Sequence, residues 1–337
     1  MKWTLITHDY PPKIGGVARY LEALIKTCSC INLVQLDNLP GRISFLLLVN
    51  KYMTNSAGVI TSHILPIGMM CYLSSKITNK PYIVILHGND FDLARRNAWK
   101  RYISQKILLS AKTIITNSKA LQLEVSDYTS RSDIVVVYPT IQDAFIESSN
   151  FIQAKHKNDE RIQLLTIGRL VERKGFMKVL EVVKDDNTLS YTIVGDGPLK
   201  KQIGEYIQNN KLENRVKILS SISDRKLPDI YSKSDIFIMP TTKSQTDREG
   251  FGIVYIEAQL FGLPIIATNC PGVDEAVLHG KTGILIGGSL ESIKTAIDNL
   301  KDPSSRSKFG NNGREFVKAN FVREQQFNKF CKLLTCE

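Results

Sequence analysis

Glu249 and Glu257 bracket a run with two glycines, Gly250-Phe251-Gly252, which continues into Ile253-Val254-Tyr255-Ile256. Gly250 and Gly252 let backbone N–H groups approach a ligand closely. A helix starting near Ile253 turns its positive end to the same place, an arrangement suited to an anion. Each carboxylate can accept paired hydrogen bonds from adjacent hydroxyls of a sugar or ribose. A solvent-facing Glu249 and a Glu257 one turn inside a helix would use the same residues without a ligand.

Two more loops in the second half combine glycine with charge. In Gly168-Arg169-Leu170-Val171-Glu172-Arg173-Lys174-Gly175, Arg169 as a fork and Lys174 as a point charge could neutralise a diphosphate without a metal. Val194-Gly195-Asp196-Gly197-Pro198 lacks a third glycine at dinucleotide spacing, which weakens a dehydrogenase reading, and no Walker lysine motif occurs. In the first half, Gly15-Gly16 follows Tyr10-Pro11-Pro12-Lys13-Ile14 and would admit a phosphate or sugar, while His87 ends the apolar run Tyr82–Leu86. A strand-end histidine favours a functional role over a structural one only modestly.

A basic run, Arg95, Arg96, Lys100, Arg101, Lys106, Lys112 and Lys119, contains no acidic residue between its ends. It suits anionic headgroups or a lipid-linked pyrophosphate acceptor and predicts peripheral membrane contact, with a plain solvated face as the competing reading.

The elements that must position these residues alternate. Short Val/Ile-rich strands at 3–7, 58–61, 82–86, 113–116 and 134–137 are separated by helical patterns at 17–26, 68–77, 98–110 and 119–128. After a polar stretch, 147–161, the alternation restarts, with strands at 162–167, 191–194, 216–219, 236–239, 264–267 and 283–286. Near-continuous apolar strands between helices mark parallel sheets covered on both faces, so the pattern predicts an α/β chain of two doubly wound, Rossmann-like domains. Ligands of such sheets bind outside the carboxyl ends of the strands, and two sheets facing a central cleft would share one. The expected division is 1–145 and 146–320, with a last helix over about 321–337 packed back on the first domain.

The whole sequence, 337 residues with 43% hydrophobic, excludes disorder, collagen and small disulfide scaffolds. Six cysteines form no CxxC pair, which argues against zinc and for reduced thiols in a cytoplasmic protein. No apolar run reaches the roughly 18 residues of a spanning helix. The net charge of +11 calls for anionic partners, yet it is spread evenly, 16 basic against 10 acidic residues through Asn150 and 28 against 23 beyond. A nucleic-acid-binding protein would explain the charge but leaves the carboxylates and glycine loops without a purpose, and no basic motif interleaved with aromatics is present.

Taken together, Pro11-Pro12-x-x-Gly15-Gly16, His87-Gly88, Gly168-Arg169 with Lys174-Gly175, Gly195-Asp196-Gly197-Pro198 and Glu249 with Glu257 resemble the retaining family 4 glycosyltransferases of the GT-B fold across essentially the whole chain. The closest branch in pattern includes phosphatidylinositol mannoside mannosyltransferases and bacterial polysaccharide enzymes. The resemblance implies two Rossmann-like domains facing a cleft, and hexose transfer with retention from a GDP- or UDP-linked donor to a glycan or lipid-linked hydroxyl. No cofactor or metal and no nucleic acid is implied, and the place of work would be the inner face of the cytoplasmic membrane. By position, Arg169 and Lys174 would grip the diphosphate. Glu249 and the backbone of Gly250, Phe251, Gly252 and Ile253 would hold the sugar, and Glu257 the ribose. Gly15, Gly16 and Gly195 would abut the donor, Ile222 would sit near the base, and His87 beside the transferred sugar. A sugar-nucleotide epimerase or a phosphorolytic enzyme of the same architecture is the alternative.

Overall fold

We describe the protein from a computed structural model, over residues 1–13, 15–39, 41–150, 161–242 and 250–335. It divides into two compact units. The first takes Met1–Thr140 and the C-terminal segment from Phe321, and the second takes Ile141–Asn320.

In the first unit, strands β1 (Trp3–Thr7), β2 (Ile31–Gln35), β3 (Val59–Thr61), β4 (Tyr82–Leu86), β5 (Thr113–Thr116) and β6 (Val135–Val136) form one sheet in the order β2-β1-β3-β4-β5-β6. Every pairing is parallel. Helices α1 (Gly16–Thr27), α2 (Arg42–Thr54), α3 (Met69–Thr78), α4 (Asn89–Leu93), α5 (Ala98–Ser110) and α6 (Lys119–Thr129) connect them. All five β4 residues are buried, with Tyr82, Val84 and Leu86 in one core cluster and Ile83 and Ile85 in the other. That period of two is why the strand reads as an unbroken apolar run: both faces need apolar cover.

The second unit begins with α7 (Asp143–Asn150) and holds strands β7 (Ile162–Ile167), β8 (Leu189–Val194), β9 (Val216–Leu219), β10 (Ile236–Met239), β11 (Ile265–Thr268) and β12 (Gly283–Ile286), in the order β12-β11-β10-β7-β8-β9. Its sheet is also parallel throughout. Its helices are α8 (Phe176–Asp185), α9 (Lys200–Asn209), α10 (Leu227–Ser232), α11 (Ile253–Leu260), α12 (Val273–Ala276), α13 (Leu290–Asp298) and α14 (Pro303–Asn320). The chain then returns to the first unit as α15 (Arg323–Thr335), where the Trp3 indole N–H donates to the Leu334 carbonyl at 3.3 Å.

Three expectations need correction. The expectation of reduced thiols fails for one pair: Cys28 after α1 and Cys331 on α15 are joined by a disulfide, with Cα atoms 5.7 Å apart at a sequence separation of 303. Sequence spacing conceals such a pair because only the return of the last helix brings it together. Strand β2 and helix α2 went unrecognised because neither has helical or alternating amphipathicity: α2 is apolar nearly all round and leaves Ile43 and Leu47 exposed. The stretch read as a polar linker starts inside α7, and residues 151–160 lie outside those described.

Two glycines in helices separate packing from propensity. A Cβ on Gly310 of α14 would lie 2.1 Å from the Gly262 carbonyl oxygen just past α11, whereas a Cβ on Gly204 within α9 meets nothing within 4 Å. Gly310→Ala should therefore lower unfolding free energy by about 2–3 kcal/mol, and Gly204→Ala should raise it by about 0.5–1 kcal/mol. Urea unfolding of both variants checks the opposite signs.

Candidate functional site

A doubly wound sheet has a crevice at the carboxyl edge where the winding reverses. In the second unit that point lies between β7 and β10, because the chain runs outward through β8 and β9 before returning to the other side of β7. The loops that leave these strands are tied by backbone hydrogen bonds: Gly168 N–H to the Val194 carbonyl at 2.9 Å, Leu170 N–H to Asp196 at 2.9 Å, and Thr242 N–H to Arg173 at 2.7 Å.

Close packing decides the glycines here. A Cβ on Gly195 would lie 2.0 Å from the Gly168 carbonyl oxygen, and one on Gly175 would lie 2.2 Å from that of Pro240. These residues allow loop to rest on loop, so the structure gives Gly195 a packing role. Lys174 is buried, 7% exposed, and a Cβ on Gly168 would be 3.5 Å from its Cε, so its side chain crosses the end of β7. Arg169 is exposed on the same loop.

Helix α11 starts after Gly252, whose φ of 80° is left-handed. Phe251 is buried, and Gly250, Gly252 and Ile253 are partly exposed. Glu257 is 1% exposed, and its Oε2 accepts the Tyr231 hydroxyl of α10 at 2.8 Å. Glu257 is therefore a buried, hydrogen-bonded carboxylate. Ile222, partly exposed, sits in the loop after β9. Glu249 lies outside the described residues.

In the first unit the winding reverses between β1 and β3. There the loop after β1 supplies His8 and Asp9, and the end of β3 supplies Ser62 and His63. His63 Nε2 lies 3.1 Å from Asp9 Oδ2, and His63 Nδ1 lies 3.0 Å from Ser62 Oγ, itself 2.9 Å from Thr7 Oγ1. The His8 ring stacks on His63 with centroids 3.9 Å apart. The hydrogen bond from His63 holds the Asp9 carboxyl below its ordinary range, and burial lowers His8. Ligand atoms of His8, Asp9 and His63 lie within 4.8 Å of one another, close enough for a metal. The Asp9–His63 hydrogen bond and the stacking of His8 on His63 hold the three together.

His87 follows β4 with its ring edge-on to Tyr20 at 5.1 Å, and Nε2 is sealed from solvent without a hydrogen-bond partner among the described residues. Burial, then repulsion from His63, drives its pKa down to about 3, so it is neutral near pH 7. Asp90 Oδ1 accepts the N–H groups of His87 and Gly88, both at 3.0 Å, while Oδ2 is sealed and has no partner among the described residues. Burial lifts this carboxyl to about 6. Gly15 and Gly16 are exposed, and a Cβ on either meets nothing within 4 Å, which leaves open space beside the backbone.

The basic run is less uniform in space than in sequence. Arg95 pairs with Asp92 at 2.8 Å and Glu124 at 3.6 Å and lies 3.8 Å from the Phe91 ring centroid. Lys112 lies over Trp3. Arg96, Arg101, Lys106 and Lys119 are exposed, and Lys100 is partly so.

Comparison with known proteins now decides the family. The model of glycosyl transferases group 1 matches residues 147–316, half of the chain, and that of glycosyltransferase family 4 matches residues 4–145. The chain belongs to the group 1 glycosyltransferases. An uncharacterised glycosyltransferase of Methanocaldococcus jannaschii is 25% identical over 93% of each chain. A GDP-mannose-dependent alpha-(1-6)-phosphatidylinositol monomannoside mannosyltransferase of Mycolicibacterium smegmatis is 31% identical over 52% of this chain and 48% of its own. The HepE protein of Anabaena, solved with UDP, superposes over the full length of both chains with a TM-score of 0.82 at 18% identity, which shows the two-domain GT-B fold.

In this glycosyltransferase two residues beside the first unit's strand ends, His63 and Asp90, are not among those the sequence singled out. His63 stands two residues past β3, a strand expected at 58–61, so the strand-end signal that singled out His87 was available for it too. Asp90 carries no signal in sequence, since the two backbone bonds it accepts arise only once α4 turns.

The two perturbed groups give a pH signature. His87 stays unprotonated in the folded state between about 3 and 6.5, so it lowers stability as pH falls through that window. Asp90 holds a proton in the folded state between 3.8 and about 6, so it raises stability as pH falls through that window. Relative to wild type, Asp90→Asn should lose stability more steeply from pH 6 to 4 and His87→Asn less steeply. Denaturant unfolding at the two pH values checks both.

Proposed function

We propose that the enzyme transfers a hexose from a nucleoside diphosphate sugar to a hydroxyl of a glycan or lipid-linked acceptor, with retention at the anomeric carbon and without a metal. The observation that carries this reading is the carboxyl edge between β7 and β10, where the buried Lys174 side chain lies across the end of β7, on a loop that also carries the exposed Arg169. A departing diphosphate gathers negative charge in the transition state, and preorganised cations at that point lower the barrier more than they tighten substrate binding. The N-terminus of α11 adds positive potential to the same edge.

In this reading Glu249 with the backbone of Gly250, Phe251, Gly252 and Ile253 holds the sugar hydroxyls, and Glu257, oriented by Tyr231, takes the ribose. Gly15 and Gly16 leave room for the diphosphate, Gly195 and Ile222 border the donor, and neutral His87 stands beside the transferred sugar. Displacement proceeds on the front face: the acceptor oxygen bonds to the anomeric carbon as the bond to the diphosphate breaks, and the acceptor proton passes to the departing phosphate oxygen. The GDP-mannose dependence of one relative and the UDP held by HepE support a GDP- or UDP-linked donor. No helix among the described residues is long and apolar enough to cross a membrane. Peripheral contact with an anionic membrane through the exposed members of the basic run, at the inner face of the cytoplasmic membrane, completes the reading.

Nucleoside diphosphate released from GDP-mannose or UDP-hexoses in the presence of a hydroxyl acceptor tests the proposal. Lys174→Ala and Glu249→Gln should each lower kcat by about 10²–10³, and Glu257→Gln should raise donor KM about tenfold. Unchanged rates in Lys174→Ala, or a product with inverted anomeric configuration by NMR, would overturn it.

A further inference from the structure

The β1/β3 reversal gathers three side chains of metal-ligand type that no step above uses. β1 and β3 pair in parallel, with Ile6 beside Thr61, so Asp9 and His63 leave the sheet side by side. Threonines at the two strand ends shape both turns: the Asp9 N–H donates to Thr7 Oγ1 at 3.0 Å, and the His63 N–H donates to Thr61 Oγ1 at 3.2 Å. One ligand atom from each of His8, Asp9 and His63 thereby lies within 4.8 Å of the other two.

With bonds of about 2.0–2.1 Å, two donor atoms on one tetrahedral zinc ion stand about 3.1–3.5 Å apart. The 3.1 Å between His63 Nε2 and Asp9 Oδ2 already has that spacing, and the 3.9 Å between His8 Nε2 and Asp9 Oδ1 exceeds it by roughly half an ångström. His63 can exchange its Nε2 proton for an ion without leaving its other nitrogen unsatisfied. Its Nδ1 faces the Ser62 hydroxyl at 3.0 Å, and a hydroxyl can donate to that nitrogen or accept from it. In the first arrangement Nε2 carries the proton that Asp9 accepts. In the second the proton sits on Nδ1, and the Nε2 lone pair is open to a metal. Ser62 Oγ lies in turn 2.9 Å from Thr7 Oγ1, so the group that orients the imidazole is itself anchored.

His8 has further to move. Stacked rings send their lone pairs out nearly in parallel, so its ring must turn from the stack to converge on an ion with His63. Its side chain is 30% exposed, and its Nδ1 has no hydrogen-bond partner among the described residues to hold it back. Lys13, exposed on the same loop, opposes a cation, and the Asp9 carboxylate offsets it.

We propose that His8, Asp9 and His63 form a binding site for a zinc-type dication, with water in the fourth position. Two imidazoles and one carboxylate suit zinc rather than magnesium or calcium, which take oxygen ligands. The cations assigned to the diphosphate belong to the second unit, so this inference stands apart from the transferase reading. Asp9 opens the loop that carries Gly15 and Gly16, and the ion ties the start of that loop to the end of β3.

Calorimetric titration of the intact, chelator-treated protein with zinc chloride should show saturable binding that EDTA reverses, and magnesium chloride should show none. His8→Ala, Asp9→Asn and His63→Ala should each weaken zinc binding about tenfold or more, and Ser62→Ala about tenfold by removing the hydroxyl that orients His63. Cooperative urea unfolding shows which variants fold. A second measurement needs no variant: diethyl pyrocarbonate labels accessible imidazoles, and zinc should abolish the labelling of His8 while His279, exposed in the second unit, labels as before. Cobalt(II) in place of zinc should give the visible absorption of a tetrahedral ion without the near-ultraviolet band of a cobalt–thiolate bond. Absence of saturable zinc binding, unchanged affinity in folded His8→Ala or His63→Ala, protection of His279 in place of His8, or a thiolate band would each overturn the proposal.

Discussion

Everything in this molecule that resembles a site depends on one constraint: a parallel sheet whose winding reverses direction leaves its carboxyl edge uncovered at the reversal. The two sheets have different strand orders, with reversal between β1 and β3 in one and between β7 and β10 in the other. Each reversal carries a different chemistry. At β7/β10 the edge carries an exposed arginine, a buried lysine and a helix N-terminus. At β1/β3 it carries a histidine hydrogen-bonded to a carboxylate and a second histidine stacked on the first. Charge that would complement a leaving diphosphate and groups that would meet a hydroxyl are thus assigned to separate units by topology alone.

The glycines around these edges have two physical causes that look identical in sequence. Gly175 and Gly195 are required because another backbone rests on them, as shown by the 2.2 and 2.0 Å that separate a built Cβ from the nearest carbonyl oxygen. Gly15 and Gly16 face open space. The first kind makes the second unit's loops a rigid seat for Lys174. The second kind leaves an opening, which is what close approach of a ligand needs. Near β4 the same economy of space has an electrostatic consequence, since burial keeps His87 uncharged and raises the Asp90 carboxyl. Near pH 7 neither group carries positive charge, which suits contact with a sugar better than contact with a phosphate.

Much of the architecture was legible because parallel strands covered on both faces must be continuously apolar, as in Tyr82–Leu86 and Ile236–Met239. The second series of strands was legible for the same reason, and the carboxyl-end rule then picked out Lys174 and His87 without a contact being known. What stayed hidden depends on distance in space. Tyr231 reaches Glu257 across 26 residues, Asp9 reaches His63 across 54, and Cys28 reaches Cys331 across 303. Helix α2 was hidden for another reason: its apolar residues surround it, so no periodic face announces a helix. The basic run was legible as a block of charge, but its pairing with Glu124 was not, because that acid lies on the following helix.

The central claim is that the edge between β7 and β10 recognises a diphosphate through Lys174. Calorimetric titration of UDP and GDP, each beside its unphosphorylated nucleoside, into the wild type and Lys174→Ala tests it most directly. The account predicts that the preferred diphosphate binds at least tenfold more weakly to the variant while any affinity for the nucleoside is unchanged. Equal affinity of both proteins for the diphosphate would contradict it.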